Sequence, residues 1–206
     1  MVYRKDLFEE KGIQVPKTWD EFLEAAKALT EDLDGDGKMD RYGCVFAGTR
    51  NDSAESRFQT FALTYGCDFV TENGDGTFTS GFGTDAYRNA MTSFIDLAAN
   101  KGVTPPGLIE TGYSEAYTMI AADQACMFFS ASNVLGGIYN ANPEMRGKMG
   151  SFRMPTAEGV DPVTSFSSVG MTVSSTCKNP EVAADFLKYM TSVDNSVTWN
   201  EATCRL

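Results

Sequence analysis

The stretch VPKTWDEF, residues 15–22, carries the clearest folding signal in this chain. Thr18 stands three residues before Glu21, which is the spacing of a capping box, in which each side chain satisfies a free backbone N–H at a helix start. The apolar residues of this segment recur at helical spacing and predict one buried stripe: Trp19, Phe22, Leu23, Ala26 and Leu29. The sequence therefore predicts an amphipathic helix that begins at residue 19 and packs one face against a core.

Short apolar runs alternate with helical patterns outward from this segment. Strands are predicted over residues 42–47, 126–129, 149–154 and 169–174, and helices over residues 84–101, 114–122 and 179–190. The run Asn73-Gly74-Asp75-Gly76 separates two β-prone segments, and its residue types favour a surface β-hairpin over residues 69–79. This alternation of helices and strands is typical of a layered α/β fold.

Composition and charge exclude several classes of protein. The 206 residues carry a net charge of −11 at pH 7, which disfavours binding to nucleic acid or to anionic lipid head groups. The sequence contains no histidine, so a Ser-His-Asp triad and a Cys/His zinc site are excluded. No window is apolar for long enough to span a membrane, and the first residues lack the apolar core of a signal peptide.

The cysteines leave two readings open. Their number is odd, they are widely spaced and they form no CxxC motif: Cys44, Cys67, Cys126, Cys177 and Cys204. They are either free thiols buried as small apolar groups, or partners in one or two disulfides.

Several segments, in this order, resemble the carbohydrate-binding cluster of extracellular solute-binding proteins of bacterial ABC importers, the maltose-binding-protein-like group. The matching stretches are YRKDLF (3–8), VPKTWDEF (15–22), ACMFFS (125–130), the segment 150–159, and VGMTV (169–173) followed by NPEVAADFL (179–187). The second of these is the most specific match. The resemblance extends over nearly the whole chain.

The resemblance implies an α/β, periplasmic-binding-protein-like fold in which two lobes close on a solute about a hinge. By this comparison the chain is mainly the second lobe and lacks the N-terminal part of the first. Residues 1–155 would form the second-lobe domain, residues 156–167 a hinge-like crossover, and residues 168–206 a strand and helices that belong to the first lobe. An apolar face on the helix at 179–190 would then lack its usual cover, so we expect self-association.

The function implied by the resemblance is capture of a sugar or oligosaccharide for import, without catalysis and without a required cofactor. The partners would be the sugar, or another small polar solute, and the membrane subunits of an ABC permease, and no nucleic acid. The whole protein would be extracellular or periplasmic and anchored as a lipoprotein. Two alternatives stay open: a secreted sugar-active enzyme, and a non-transporting remnant or sensor half of a binding protein.

A sugar site needs an aromatic face for the apolar side of the ring and a few fixed polar groups. The resemblance places these on loops that face the cleft, at Arg50, Asn51, Arg57, Tyr113, Ser130, Ser132, Asn133, Phe166 and Ser167. Asn133 stands where maltose-binding protein has a stacking tryptophan, which argues against maltodextrin as the solute. Each of these residues also has an alternative reading as an ordinary loop residue.

The run DLDGDGKMD, residues 32–40, matches the first half of a calcium loop. Carboxylates stand at loop positions 1, 3, 5 and 9, which are Asp32, Asp34, Asp36 and Asp40. Position 7 is Lys38, which is expected to offer its backbone carbonyl. Position 12 is Gly43, so the usual bidentate glutamate is absent. Either another carboxylate such as Glu31 completes a structural Ca²⁺ site, or affinity is low, or the run is a solvated Asp/Gly turn.

Overall fold

A computed structural model describes residues 1–165 and 170–203 of the chain. The chain divides into two compact units, Met1–Ser165 and Phe166–Leu206. The hinge-like role expected for residues 156–167 stays a prediction. Within the described residues, no helix is both long enough and apolar enough to cross a bilayer.

A four-stranded mixed sheet forms the centre of the first unit. Its strands are β1 (Val2–Arg4), β2 (Tyr42–Val45), β5 (Ala125–Phe128) and β6 (Met149–Ser151), in the spatial order β2-β5-β1-β6. Strands β2 and β5 are parallel, whereas β1 runs antiparallel to both of its neighbours, β5 and β6. A separate hairpin, β3 (Val70–Glu72) with β4 (Phe78–Ser80), confirms the turn predicted around residues 73–76.

The helices of the first unit surround this sheet, and the predicted α/β class is confirmed. They are α1 (Lys5–Lys11), α2 (Trp19–Ala28), α3 (Asp52–Leu63), α4 (Asp85–Ile95), α5 (Tyr113–Ala121) and α6 (Val134–Ala141). Helix α2 begins as predicted, because Thr18 Oγ1 accepts from the Glu21 N–H at 3.2 Å while the Glu21 carboxylate accepts from the Thr18 N–H at 3.3 Å. The helix predicted over residues 84–101 continues from α4 through a π-helical turn, Asp96–Asn100.

The core of the first unit is strongly aromatic. Trp19 lies against Phe22 with ring centroids 5.4 Å apart, and its other contacts include Phe61 at 4.4 Å. Phe22 is fully buried and stacks on Phe129 at 5.6 Å. The indole Nε1–H donates to Thr64 Oγ1 at 3.0 Å, so the polar end of the buried tryptophan has a partner. The stripe predicted on α2 therefore packs as expected.

Helix α2 approaches strand β2 at a glycine. A Cβ added to Gly43 would lie 2.0 Å from the carbonyl oxygen of Ala26, so no larger residue fits without a backbone shift. The Gly43 N–H donates to Thr30 Oγ1 at 2.9 Å, which ties the strand to the end of the same helix. This contact fixes α2 against the edge strand of the sheet.

A line of alternating charges crosses one end of the sheet. Arg4 donates from Nη2 and Nε to Asp6 at 2.7 and 2.8 Å, and it also pairs with Asp123. Arg41 donates to the other oxygen of Asp123 at 2.5 Å and to Glu31 at 3.0 Å. Asp123 adopts φ +63°, a conformation that is uncommon outside glycine and that two arginines here hold in place. The line connects four separate segments of the first unit.

The cysteines within the described residues are free thiols, as the first of the two readings predicted. Cys44, Cys67 and Cys126 are buried, and Cys177 is half-buried. Burial raises the pKa of Cys126 to about 12, although the charges of Arg41 and Arg4 lower it somewhat. A buried thiol with so high a pKa packs as an apolar group and is a poor nucleophile.

The regular elements in the described part of the second unit are helices α7 (Pro180–Met190) and α8 (Val193–Thr203). The strand predicted over residues 169–174 is wrong for residues 170–174, which form no regular structure; a strand needs a neighbour to bond its backbone groups, and these residues pair with none of the described strands. The helix predicted over residues 179–190 begins one residue later, with Asn179 at the N-cap position; the Asn179 side chain makes no capping hydrogen bond because the backbone there departs from the usual extended N-cap geometry.

Helix α7 presents an uncovered apolar face. Val182, Phe186 and Tyr189 are 70%, 59% and 66% exposed, and the helix contains no buried residue. Exposed apolar surface of this kind favours association. Self-association of the chain through this face stays a prediction.

Candidate functional site

The two loops predicted to face a cleft begin where the parallel strands β2 and β5 end. Because parallel strands present their carboxyl ends at one edge of a sheet, residues 46–51 after β2 and residues 129–133 after β5 lie at the same edge. Hydrogen bonds from the Gly48 and Thr49 N–H groups to the Thr111 carbonyl, at 2.9 and 3.2 Å, bring the start of α5 to this edge as well. This arrangement gathers three sequence-distant segments around one surface.

Four side chains at this edge form what we call the Arg57 cluster, which consists of Arg57, Tyr113, Phe128 and Asn133. The guanidinium carbon of Arg57 lies 4.7 Å from the centroid of the Tyr113 ring and 5.7 Å from that of Phe128. Asn133 donates from Nδ2 to the Tyr113 hydroxyl at 3.3 Å. The structure thus joins three of the predicted site residues, from α3, α5 and the β5–α6 loop, through direct contacts.

Arg57 is held from its own helix as well as by the aromatic rings. Its Nη1 donates to the carbonyl oxygen of Ser53, one helical turn earlier, at 2.6 Å. Its Nε is buried and has no hydrogen-bond partner. Burial lowers the pKa of Arg57, and nearby Tyr113 and Asp52 partly offset this effect. A buried donor without an acceptor is costly, so this Nε–H is a group whose free energy an added acceptor would lower.

Arg50 and Asn51 lie on the neighbouring loop and are exposed. Asn51 caps helix α3, since its Oδ1 accepts from the Ser53 N–H at 3.0 Å and its Nδ2 donates to Thr49 Oγ1 at 3.1 Å. The Asn51 amide therefore serves mainly to cap α3. Arg50 makes no such local hydrogen bond among the described residues.

The predicted serines lie on the loop that ends at Asn133. Ser130 and Ser132 are half-buried there, between Phe128 and Asn133 in the sequence, and no side-chain hydrogen bond among the described residues joins them to the cluster. The other two predicted contacts, Phe166 and Ser167, lie outside the described residues. Their role stays a prediction.

Sequence reasoning missed two residues that shape this site. Phe128 is fully buried at the end of β5 and forms part of the wall beneath Arg57, whereas the sequence indicated only a core strand. Ser53 anchors the guanidinium through its backbone carbonyl. The four-residue spacing of Ser53 and Arg57 on a helix was the available signal for the second contact.

The acidic loop at residues 32–40 folds around its own carboxylates. Carboxylate oxygens of Asp32, Asp34 and Asp40 lie within 4.8 Å of one another. Asp32 accepts from the N–H groups of Gly35 and Gly37 at 2.7 and 2.8 Å. The two glycines adopt φ +78° and +89°, which allows the loop to turn tightly around these oxygens.

The neighbouring groups only partly complete a calcium site. Asp36 accepts from the Lys38 N–H at 2.8 Å and lies outside the three-carboxylate group. Glu31, suggested by the sequence as a further ligand, instead pairs with Lys11 at 2.5 Å and with Arg41 at 3.0 Å. Gly43, at loop position 12, lies inside strand β2 and offers no carboxylate. The oxygen donors present suit Ca²⁺ in type but are fewer than a full EF-hand supplies.

An apolar groove of about 860 Å³ lies beside strand β2 and the loop that follows it. Residues of α4 and of the proline-containing loop form its walls, and they include Phe94, Ile95, Ala98, Pro105 and Leu108. No charged side chain lines it. A sugar site needs fixed polar groups beside an aromatic face, so the Arg57 cluster is a better candidate than this groove.

The sequence of this chain is similar to those of known bacterial solute-binding proteins. The family described as bacterial extracellular solute-binding protein matches residues 1–196 of the chain. The polygalacturonan/rhamnogalacturonan-binding protein YtcQ of Bacillus subtilis is 37% identical over 101 residues, which are 48% of this chain and 20% of YtcQ. YcjN of Escherichia coli K12, named as an ABC transporter periplasmic-binding protein, is 25% identical over 198 residues, which are 96% of this chain and 42% of YcjN.

A solved structure shows the same fold. The ABC transporter solute-binding protein of Thermotoga lettingae, bound with α-D-tagatose, matches all of this chain with a TM-score of 0.81 and 23% identity. The match covers 50% of that protein, so the chain spans half of its length, and it spans less than half of the curated relatives. The periplasmic-binding-protein-like fold predicted from the sequence is confirmed, and half coverage fits a single lobe. The chain belongs to the bacterial extracellular solute-binding protein family.

Proposed function

We propose that this chain provides one wall of a sugar-binding cleft in the solute-binding component of an ABC importer. In this proposal the whole protein captures a sugar or oligosaccharide outside the cytoplasm and delivers it to the permease subunits in the membrane. The observation that supports this best is the Arg57 cluster, where an aromatic ring, an amide and an incompletely bonded guanidinium meet at the carboxyl ends of two parallel strands. Anchoring as a lipoprotein remains a further proposal for the whole protein.

The names of similar proteins support a saccharide ligand. YtcQ is named for binding polygalacturonan and rhamnogalacturonan, and the T. lettingae protein was solved with α-D-tagatose. The polar groups of the Arg57 cluster are a guanidinium, a phenol and an amide, which suit hydrogen bonding to hydroxyl groups. They include no carboxylic acid of the kind that protonates a glycosidic oxygen, so the cluster favours binding over glycoside hydrolysis.

Replacing Tyr113 with alanine is expected to weaken saccharide binding by about two- to tenfold, because aromatic packing contributes about 0.5 to 1.5 kcal/mol. The dissociation constant is measured by titrating the chain with mono- and oligosaccharides while NMR chemical shifts are recorded. This method detects weak binding, such as that expected of one wall of a cleft. Tyr113→Phe keeps the ring and loses only the hydrogen bond from Asn133, so it should bind more tightly than Tyr113→Ala.

Tyr189→Ala is the matched control, because that side chain is 66% exposed on helix α7. Equal affinities for the wild-type chain and Tyr113→Ala would remove Tyr113 from the site. Absence of any saccharide-induced shift on the wild-type chain would contradict the proposed function itself.

We also propose that the loop at residues 32–40 binds Ca²⁺ in a structural role. Calcium at about 10 mM is about 10 to 100 times a dissociation constant typical of extracellular modules, so we expect it to stabilise the chain by about 1.4 to 2.7 kcal/mol. A thermal-unfolding scan with CaCl₂ against MgCl₂ measures this. Mg²⁺ should have little effect, because it demands a tighter octahedral shell than this loop offers.

Asp34→Asn should abolish the calcium-dependent rise in melting temperature, since it removes one of the three clustered carboxylates. Asp75→Asn, in the Asp/Gly turn of the β-hairpin, is the control and should leave that rise unchanged. An identical melting temperature with and without calcium would return the loop to the reading of a solvated turn.

A further inference from the structure

The guanidinium of Arg57 has no carboxylate partner in the parts of the chain that the structure describes. The buried arginines Arg4 and Arg41, by contrast, do have carboxylate partners. Arg4 pairs with Asp6 and Asp123, and Arg41 pairs with Glu31 and Asp123. Asp52 acts on Arg57 electrostatically but makes no ion pair with it among the described residues. Arg57 is thus a half-buried cation that has no negative partner among the described residues.

The surroundings of Arg57 leave one edge of its guanidinium without an acceptor. Nη1 is engaged with the Ser53 carbonyl, and the flat face lies over the ring of Tyr113. The Nε–H is the donor left unsatisfied. In an arginine, the Nε–H and one N–H of Nη2 point to the same side and form a planar fork that matches the two oxygens of a carboxylate. A planar anion would satisfy both this donor and the positive charge.

We propose that Arg57 binds the carboxylate of an acidic sugar, so that the solute of this cleft carries a uronic acid residue. This inference rests on the proposed function, because it assigns a ligand class to the same site. A carboxylate supplies two acceptor atoms and a negative charge, and so it satisfies the unpaired donor and the unpaired charge together. A sugar hydroxyl supplies one neutral acceptor and leaves the desolvated cation without a counter-charge.

Binding of the carboxylate requires a small movement that also prepares the aromatic ring. The Nε atom is covered by protein in this structure, so the guanidinium must leave the Tyr113 ring before its fork can be reached. This movement uncovers the ring face on which Arg57 now lies. The freed face can receive the apolar C–H side of the same sugar ring. A uronic acid carries both recognised groups on one ring.

The negative net charge of the chain makes a simple anion a useful control. At −11 the protein repels small anions over long range, so an anion that has no sugar ring should gain little from this site. Acetate is therefore the control for the carboxylate alone. D-galactose and D-glucose are the controls for the ring alone, since each differs from its uronic acid only in the group at C6.

The experiment is an NMR titration of the ¹⁵N-labelled full chain, observing arginine Nε–Hε signals, with D-galacturonate and D-glucuronate. The Arg57 signal is assigned by its loss in Arg57→Lys. We expect this signal and the Tyr113 ring protons to shift with either uronate, and to shift at least about tenfold less at equal concentrations of galactose, glucose or acetate. The Arg88 Nε–H, which already donates to the Gly83 carbonyl at 3.0 Å, is an internal control that should not move.

Two variants test the role of the fork by affinity. Arg57→Gln is expected to weaken uronate binding about tenfold or more, while Arg57→Lys keeps the charge and should recover only part of the loss. Far-ultraviolet circular dichroism confirms that both variants are folded, and the wild-type titration stands independently if either is not.

The outcomes separate this inference from the proposed function. Equal responses to a uronate and its neutral counterpart would overturn the acidic-sugar proposal and leave sugar binding in place. An acetate response equal to that of the uronates would overturn it as well, because the site would then be a general anion site. No response to any saccharide would overturn both.

Discussion

Replacing Phe22 with alanine is expected to lower the free energy of unfolding of the first unit by about 3 to 5 kcal/mol. The side chain is fully buried, and its ring touches those of Trp19 and Phe129. Removing it withdraws apolar surface and leaves a cavity between two large rings that cannot close around the space. Since whole domains are stable by only about 5 to 15 kcal/mol, the variant would lose a large part of its stability.

Urea denaturation followed by Trp19 fluorescence measures this change, in a Trp199→Phe background so that one indole reports. Phe78→Ala is the matched control, because that side chain is 67% exposed on the hairpin, and its loss should be within about 0.5 kcal/mol. A loss below about 1 kcal/mol for Phe22→Ala would mean that the aromatic core is packed differently from the structure described above.

Gly43→Ala is expected to destabilise the same unit by at least about 3 kcal/mol, the upper end of the range for overpacking. Glycine in a strand is ordinarily a weak point, and alanine there would be neutral or favourable in open space. Here the added methyl would lie 2.0 Å from the Ala26 carbonyl oxygen, which belongs to helix backbone and cannot rotate aside. Helix α2 would have to separate from strand β2, and its aromatic contacts would loosen with it.

Gly170→Ala provides the comparison for this variant, because a Cβ at Gly170 meets no atom within 4 Å. That change should leave the melting temperature of the chain nearly unchanged. A Gly43→Ala protein that melts at the wild-type temperature would show that α2 and β2 are farther apart than the structure places them.

Local signals in the sequence predicted most of the elements. The reciprocal Thr18 and Glu21 bonds lie within one turn, so the start of α2 could be read directly. The hairpin around residues 73–76 is likewise encoded by neighbouring residues. The run at 170–174 failed because β-propensity describes a residue that has a neighbouring strand, and those residues have none among the described strands.

The candidate site could be predicted only in part. Family resemblance pointed to Arg57, Tyr113 and Asn133, and the structure brings those three together. The Arg57 Nε lacks an acceptor because of how Phe128 and three distant segments pack around it. No local pattern in the sequence encodes this packing. Glu31 could not be assigned either, because its partners Lys11 and Arg41 approach it only in the folded chain.

Strand β1 lies between β5 and β6, so its partners are far away along the chain: Tyr3 faces Met127 on one side and Gly150 on the other. At a synthesis rate of 5 to 20 residues per second, a ribosome needs about 7 to 30 seconds to pass from the first of these residues to the last. During that interval the apolar segment at Val2 and Tyr3 has emerged but has no strand to bond. The sheet can therefore close only after translation of this unit is nearly complete, and the nascent chain offers a holding chaperone a defined window in which to bind.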